Sequence, residues 1–130
     1  MKREGRNVLI DTSAWVEFFR GSAGTAGEVS KLIEGGRAVI CGVISYELLQ
    51  GTKSAEEAER LTDVLPALNY VEMTSDLWIR AGKLSAGLRR KGITLPMSDI
   101  LIGALALEHD IEVLTVDEHF ASIPGLKRYQ

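Results

Sequence analysis

The chain has 130 residues, of which 45% are hydrophobic and 25% charged, and this composition predicts one globular domain over residues 1–130. Its net charge of −3 argues against broad nonspecific adhesion to nucleic acid, although a local basic patch is compatible with it. The single cysteine, Cys41, cannot form an internal disulfide, and the sequence has neither a visible signal peptide nor an apolar stretch long enough to span a bilayer. We therefore expect a cytoplasmic protein without a membrane partner.

The first predicted element is a short strand, residues 8–10, that runs directly into Asp11. A continuous apolar run is typical of a strand buried on both faces of a parallel sheet, and ligands bind at the carboxyl ends of such strands. Asp11 is therefore a candidate site residue, although an aspartate in this place also caps helices. Apolar residues at helical spacing predict a helix from Thr12 to Arg20.

Two predicted helices flank the second strand, which spans residues 37–41. Thr25 and Glu28 have the spacing of a capping box and predict the start of the helix before this strand. Ser45 is a suitable N-cap for the helix after it. This start puts Glu47 in the first turn of that helix.

The second half of the chain continues the alternation. Residues 69–73 predict a third strand, and a long helix follows from Thr74 or Ser75 to Lys91. The predicted buried stripe of this helix consists of Leu77, Ala81, Leu84 and Leu88.

The last predicted helix begins near Pro96 and carries Asp99 in its first turn. Residues 100–107 are apolar on every side, which predicts that the helix is buried. A fourth strand at residues 112–115 then brings Asp117 just past its carboxyl end.

Strands and helices thus alternate along the whole chain. This order indicates an α/β domain, an α/β/α sandwich with a central, mostly parallel sheet of four to five strands flanked by helices. Residues 125–129 are a candidate fifth strand at the edge.

Four acids occupy equivalent places in this predicted fold. Asp11 and Asp117 each follow an apolar strand, while Glu47 and Asp99 each lie near the start of a helix. In a parallel sheet all four can converge on one edge. At roughly 5 Å and an effective dielectric constant of about 20, each pair of carboxylates repels by about 3 kcal/mol, so the cluster needs protonation or a divalent cation. Oxygen ligands alone indicate Mg²⁺ or Mn²⁺ rather than zinc, and such ions activate water for displacement at phosphorus.

Four motifs around these acids resemble those of the PIN-domain family, and more narrowly the VapC-type toxins of bacterial and archaeal toxin–antitoxin pairs. The motifs occur in the family's order, and the resemblance covers nearly the whole chain. They are Leu9-Ile10-Asp11-Thr12-Ser13, Ser45-Tyr46-Glu47-Leu48-Leu49-Gln50-Gly51, Leu95-Pro96-Met97-Ser98-Asp99-Ile100-Leu101-Ile102-Gly103-Ala104 and Leu114-Thr115-Val116-Asp117-Glu118-His119-Phe120.

The resemblance implies a PIN-like fold and a metal-dependent ribonuclease, with Asp11, Glu47, Asp99 and Asp117 around Mg²⁺ or Mn²⁺. The first three would hold the principal ion directly or through water, and Asp117 would complete or tune the site. It further implies a homodimer and a cognate antitoxin protein that inserts a segment near the acidic pocket. The mechanism expected from it is hydrolysis of an RNA phosphodiester by metal-activated water.

By the same resemblance, Thr12 or Ser13, together with Thr115, orient the acids or bind water. One position departs from the family pattern: His119 stands where an acid is frequent. We interpret His119 as a residue behind the ligands or on the surface. A histidine ligand would change the expected metal.

Candidate contacts to the RNA backbone are Lys53 and the run Arg89-Arg90-Lys91. The basic run is equally compatible with a solvated helix terminus, where cations are favourable. Trp15 and Trp78 offer rings for base stacking, but their helical spacing favours packing in the core or a dimer.

Three other functions are alternatives to the nuclease. A haloacid-dehalogenase-like phosphatase would have a second acid two residues after Asp11, where Ser13 stands. A response-regulator receiver domain would have a phosphoacceptor aspartate at the end of the third strand, which residues 70–73 lack. A catalytically idle PIN-like module that only binds a partner stays open, although the presence of all four acids counts against it.

Overall fold

Four parallel strands form the sheet of this computed structural model, which describes residues 6–129. The strands are β1 (Val8–Ile10), β2 (Ala38–Cys41), β3 (Asn69–Val71) and β4 (Glu112–Leu114). The helices that flank them are α1 (Thr12–Arg20), α2 (Thr25–Glu34), α3 (Gly42–Gln50), α4 (Ala55–Val64), α5 (Ser75–Arg90) and α6 (Met97–His109). Short 3₁₀ turns occupy Leu65–Ala67 and Glu118–Ser122. The predicted α/β/α architecture is confirmed.

The strand order across the sheet is β3–β2–β1–β4, so the neighbours of β1 come from distant parts of the chain. Val8 of β1 pairs with Ala38 on one side and Glu112 on the other. The chain moves outward from β1 through β2 to β3 and then returns to add β4 on the opposite side. Such a reversal opens a crevice at the carboxyl ends of the strands, where ligands bind in open α/β sheets.

β1 and α6 form the centre of the core. All three residues of β1 are fully buried, and residues 100–106 of α6 are buried as predicted from their apolar character. Gly103 of α6 allows Ile123 to pack closely, because a Cβ at position 103 would lie 2.6 Å from the Ile123 Cδ1. This packing holds α6 against the segment that follows β4.

α5 is the longest helix, with 16 residues, and buries Leu77, Ala81 and Leu88 of its predicted stripe. Trp78 lies beside that stripe and is half exposed, so it does not belong to the core. Trp15, by contrast, is buried in the core, with 2% of its surface exposed. None of the helices in residues 6–129 has the length and apolar character needed to cross a membrane.

The capping box predicted at Thr25 and Glu28 is wrong. Gly24 precedes α2 with a φ of +87°, and no side chain caps this helix. The Glu28 carboxylate instead accepts a hydrogen bond from the Tyr129 hydroxyl at 3.1 Å. Glu28 therefore contacts the C-terminal segment rather than the start of its own helix.

The predicted start of the next helix is also wrong. α3 begins at Gly42, immediately after Cys41 of β2, and Ser45 lies inside it. Glu47 is consequently in the second turn rather than the first. It gains less from the positive end of the helix dipole, whose effect fades beyond the first turn.

The fifth strand predicted near the C-terminus is reduced to a single bridge between Val113 and Arg128. Val113 donates its N–H to the Lys127 carbonyl and accepts a hydrogen bond from the Tyr129 N–H, both at 2.9 Å. The tail therefore follows the outer edge of β4 without forming a longer ladder.

Candidate active site

Asp11 stands between β1 and α1, where it ends the strand and caps the helix. Its Oδ2 accepts hydrogen bonds from the Ser13 N–H (3.3 Å), the Ser13 hydroxyl (2.7 Å) and the Thr115 hydroxyl (2.9 Å). The N–H groups of Val116 and Asp117 donate in turn to the Ser13 and Thr115 hydroxyls, at 3.2 and 2.9 Å. Because both hydroxyls converge on Oδ2, they orient the carboxylate without occupying Oδ1.

Glu47 reaches the same region from α3. The Thr12 hydroxyl donates a hydrogen bond of 2.6 Å to the Glu47 Oε1. Thr12 follows Asp11 directly, so this bond ties the position of Glu47 to that of Asp11. The neighbouring hydroxyl residues therefore serve different acids, Thr12 the glutamate and Ser13 the aspartate.

Asp99 and Asp117 both contact the side chain of His119. The His119 Nδ1 lies 2.7 Å from the Asp99 Oδ2 and 3.2 Å from the Asp117 Oδ1. The same Asp117 oxygen accepts the His119 backbone N–H at 2.9 Å, because Asp117 caps the 3₁₀ turn Glu118–Ser122. Asp99 is 7% exposed in the first turn of α6, whereas half of the His119 side chain is exposed.

All four predicted acids line one open pocket of about 220 Å³ at the carboxyl ends of the central strands. The pocket is also lined by Thr12, Ser13, Pro96, Ser98 and His119. The arrangement expected from the strand ends is therefore present, at the crevice where the strand order reverses.

The electrostatics of the pocket disfavour its own negative charge. Burial raises the pKa of Asp11 above its ordinary value, and the hydrogen bonds from Ser13 and Thr115 oppose this only in part. Burial likewise raises the pKa of Asp99; the bond from His119 lowers it, and the neighbouring carboxylates raise it further. The hydrogen bond to Asp99 in turn raises the pKa of His119. A cation bound here would relieve the repulsion.

The donor atoms of the pocket fit a divalent cation. One ligand atom each from Asp99, Asp117 and His119 lies within 4.8 Å of the other two. Carboxylate oxygens are preferred ligands of Mg²⁺ and Mn²⁺, and the pKa values of Asp11 and Asp99 are raised mainly because both carboxylates are buried. The sequence predicted a site with oxygen ligands only, whereas this cluster also contains the imidazole of His119.

A family model described as the PIN domain matches residues 8–126. The chain belongs to the PIN-domain family. Ribonuclease VapC11 of Mycobacterium tuberculosis is 36% identical to it over 129 residues, which cover 95% of this chain and 96% of the relative. Ribonuclease VapC19 of the same organism is 30% identical over 121 residues, which cover 92% and 96%. The resemblance to VapC-type proteins seen in the four acidic motifs is confirmed.

Solved structures agree with this assignment of the PIN domain. VapBC2 from Rickettsia felis, bound to a DNA fragment from its promoter, matches with a TM-score of 0.79 at 20% identity, covering 94% of this chain and 96% of that one. VapC20 of Mycobacterium tuberculosis, described as a sarcin–ricin-loop-cleaving toxin, matches with a TM-score of 0.71 at 15% identity, covering 95% and 98%. At these identities the likeness confirms the fold alone.

A larger groove of about 600 Å³ adjoins the acidic pocket of this PIN domain, and Thr12 and Glu47 line both. Its walls are formed by α1, α3, α4 and the loop between α3 and α4. Apolar and basic side chains line most of it: Val16, Phe19, Leu48, Leu61 and Val64, with Arg20, Lys53 and Arg60.

The four basic residues predicted to contact RNA are not grouped together. Lys53 is exposed and lines the larger groove. Arg89, Arg90 and Lys91 are exposed at the C-terminal end of α5 and line neither the pocket nor the groove. Any single RNA strand that contacts all four must therefore extend beyond the pocket.

Sequence reasoning missed the position of His119 inside the acidic cluster. A signal for it was present, because an aspartate that caps a turn accepts the N–H of the residue two positions on. That geometry brings residue 119 back toward Asp117, but only the packing of α6 brings Asp99 to the same point.

Proposed function

We propose that this PIN domain, acting as one domain over residues 1–130, is a metal-dependent endoribonuclease of the cytoplasm. It would be a VapC-like toxin that hydrolyses RNA phosphodiester bonds and is neutralised by a cognate antitoxin. The observation that carries the proposal is the single pocket lined by Asp11, Glu47, Asp99 and Asp117 at the reversal of strand order. Relatives that match over nearly their whole length are named ribonucleases, which supports the same activity here.

In the proposed mechanism the four acids hold Mg²⁺ or Mn²⁺, directly or through water. When bound, the ion supplies an activated water and neutralises the charge that develops at phosphorus. Ser13 and Thr115 hold the Asp11 carboxylate in one orientation, and Thr12 does the same for Glu47. Hydrolysis at this site would form a bond from the water oxygen to phosphorus and break the bond to the leaving RNA oxygen, which would gain the proton that the water loses. Carboxylates that are oriented beforehand need no rearrangement during this displacement.

The proposed RNA contacts outside the pocket are Lys53 and the basic end of α5, Arg89 to Lys91. Contacts between cations and phosphates supply affinity without sequence choice. Their removal should weaken RNA binding and reduce its salt dependence while leaving metal binding unchanged.

The larger groove is the surface we propose for the antitoxin. Phe19 and Val64 expose 58% and 54% of their surface there, and Arg20, Lys53 and Arg60 line the same groove. Glu47 and Glu57 line the groove as well, so basic side chains exceed acidic ones only slightly. This combination suits a peptide segment that is mainly apolar and carries few charges. Because the groove shares Thr12 and Glu47 with the acidic pocket, a segment bound in it would obstruct access to the acids.

A homodimer is also proposed, with α5 as part of its interface. Trp78 and Ile79 are adjacent on this helix and expose 50% and 59% of their surface. Large exposed apolar side chains that lie together mark contact surfaces between proteins.

The test is an RNA cleavage assay with antitoxin-free protein in Mg²⁺, Mn²⁺ or EDTA, beside Asp11→Asn and Asp99→Asn. Asp63→Asn is the matched control, because Asp63 is exposed on α4 and lines neither cavity. We expect cleavage that requires metal, disappears in both site variants and persists in the control. Cleavage that survives in both site variants would refute the assignment. A folded wild-type protein that cuts no RNA pool in either metal, yet binds its antitoxin, would establish the idle partner-binding module instead.

A further inference from the structure

His119 is a titratable side chain of the acidic pocket to which the proposed function gives no role. Its Nδ1 makes two close contacts, 2.7 Å to the Asp99 Oδ2 and 3.2 Å to the Asp117 Oδ1. The side chain is half exposed, so water can satisfy its other ring nitrogen while Nδ1 faces the acids. Only a nitrogen directed at the acids can bind the same metal ion as their carboxylates.

The spacing of these three atoms fits neighbouring positions around one ion. Mg²⁺ in an octahedral site binds oxygen at about 2.1 Å, which separates adjacent ligands by about 3.0 Å. The observed separations of 2.7 and 3.2 Å lie on either side of this value. Each of the three residues also offers a ligand atom within 4.8 Å of those of the other two, as ligands of one ion must.

We propose that the His119 Nδ1 is a direct ligand of the divalent ion, beside carboxylate oxygens of Asp99 and Asp117. The site is then a mixed carboxylate–imidazole site, which favours first-row transition ions such as Mn²⁺ over Mg²⁺, because Mg²⁺ prefers oxygen. This inference rests on the proposed metal-dependent function and adds the identity of one ligand and the direction of metal preference.

One other role would produce the same contacts. A protonated His119 could act as an internal counter-cation that occupies the ion's place and leaves when metal binds. The two roles predict opposite effects of removing the imidazole. Loss of a ligand weakens metal binding, whereas loss of a competing cation strengthens it.

The experiment measures Mn²⁺ and Mg²⁺ affinity by calorimetry and the Mn²⁺ environment by pulsed EPR. The protein must be free of a polyhistidine tag, which would supply imidazole of its own. The variants are His119→Gln, which removes the ligand, and His119→Asp, which replaces it with oxygen. His109→Gln is the matched control, since His109, the chain's other histidine, is exposed about 15 Å along α6 from Asp99. Asp99→Asn tests the metal site itself.

We expect ¹⁴N coupling to the bound Mn²⁺ in the wild type and in the His109 control, changed when the protein is labelled with ¹⁵N-histidine. Both His119 variants should lack it. His119→Gln should lower Mn²⁺ affinity about 10–100-fold, the range found when residues that support metal ligands are replaced. It should lower Mg²⁺ affinity less. His119→Asp should still bind metal with a smaller Mn²⁺ preference.

Mn²⁺ binding without nitrogen coupling would overturn the inference and leave the proposed nuclease intact. Unchanged or tighter Mn²⁺ binding by His119→Gln would overturn it in the same way. A wild-type protein that binds neither ion, or binds Mn²⁺ equally after Asp99→Asn, would instead refute the metal site of the proposed function.

Discussion

Replacing Asp99 with asparagine should stabilise the metal-free protein while removing its proposed activity. The donor atoms of Asp99 and Asp117 lie within 4.8 Å of each other. Burial is the main reason why the pKa of Asp99 is raised, so the charged form of this side chain already lowers stability before repulsion from Asp117 and Asp11 adds to the effect. Asparagine removes the charge but also loses the charge-assisted bond from His119, which offsets part of the gain. The net gain in the free energy of unfolding is about 1 kcal/mol, or about 4 °C in Tm.

The assay is thermal unfolding in EDTA, with Asp63→Asn as the control that should not change. The effect should depend on pH in a defined direction. Because the pKa of Asp99 is raised in the folded state, its charge lowers stability as pH rises above the ordinary value of 3.8 and through the raised value. The difference between variant and wild type should therefore shrink toward pH 3.8. Saturating Mn²⁺ should raise the Tm of the wild type and of the control but not that of Asp99→Asn. A variant with an equal or lower Tm in EDTA at neutral pH would show that the buried charge of Asp99 does not destabilise the folded protein.

The other predictions concern single contacts of the pocket and of α5. Thr12→Val should lower kcat roughly tenfold with little change in KM, because Glu47 loses its donor, and Thr12→Ser should restore it. Thr115→Val should lower the free energy of unfolding in urea by about 1–2 kcal/mol, because it removes a bond to Asp11; an unchanged midpoint would contradict this. Metal affinity measured by calorimetry should fall as pH is lowered toward the raised pKa values of the buried aspartates, and a flat profile would argue against them as ligands. Ile79→Asp should convert the proposed dimer to a monomer in sedimentation velocity, and an unaltered dimer would exclude this face.

The secondary structure and burial of residues could be predicted where the local sequence determines them. The continuous apolar run before Asp11 indicated a buried strand, and Asp11 lies where that strand ends. The start of α6 and its burial followed from Pro96 and from seven apolar positions without a polar face. Helix starts were less predictable, since Thr25 and Ser45 are plausible caps that the structure does not use. In both cases the helix begins earlier, after Gly24 for α2 and after Cys41 for α3, and no side chain caps either start.

The sequence alone determined that the four acids lie at strand ends and near helix starts, because apolar runs and helix signals are local. Only the tertiary structure decided how they are paired. The bond from Thr115 to Asp11 spans 104 positions, and that between Thr12 and Glu47 spans 35. Both depend on the strand order, which sets β4 on one side of β1 and β2 on the other and cannot be read from local spacing. The position of His119 against Asp99 has the same origin, since a short turn and a buried helix meet there only after the sheet has formed.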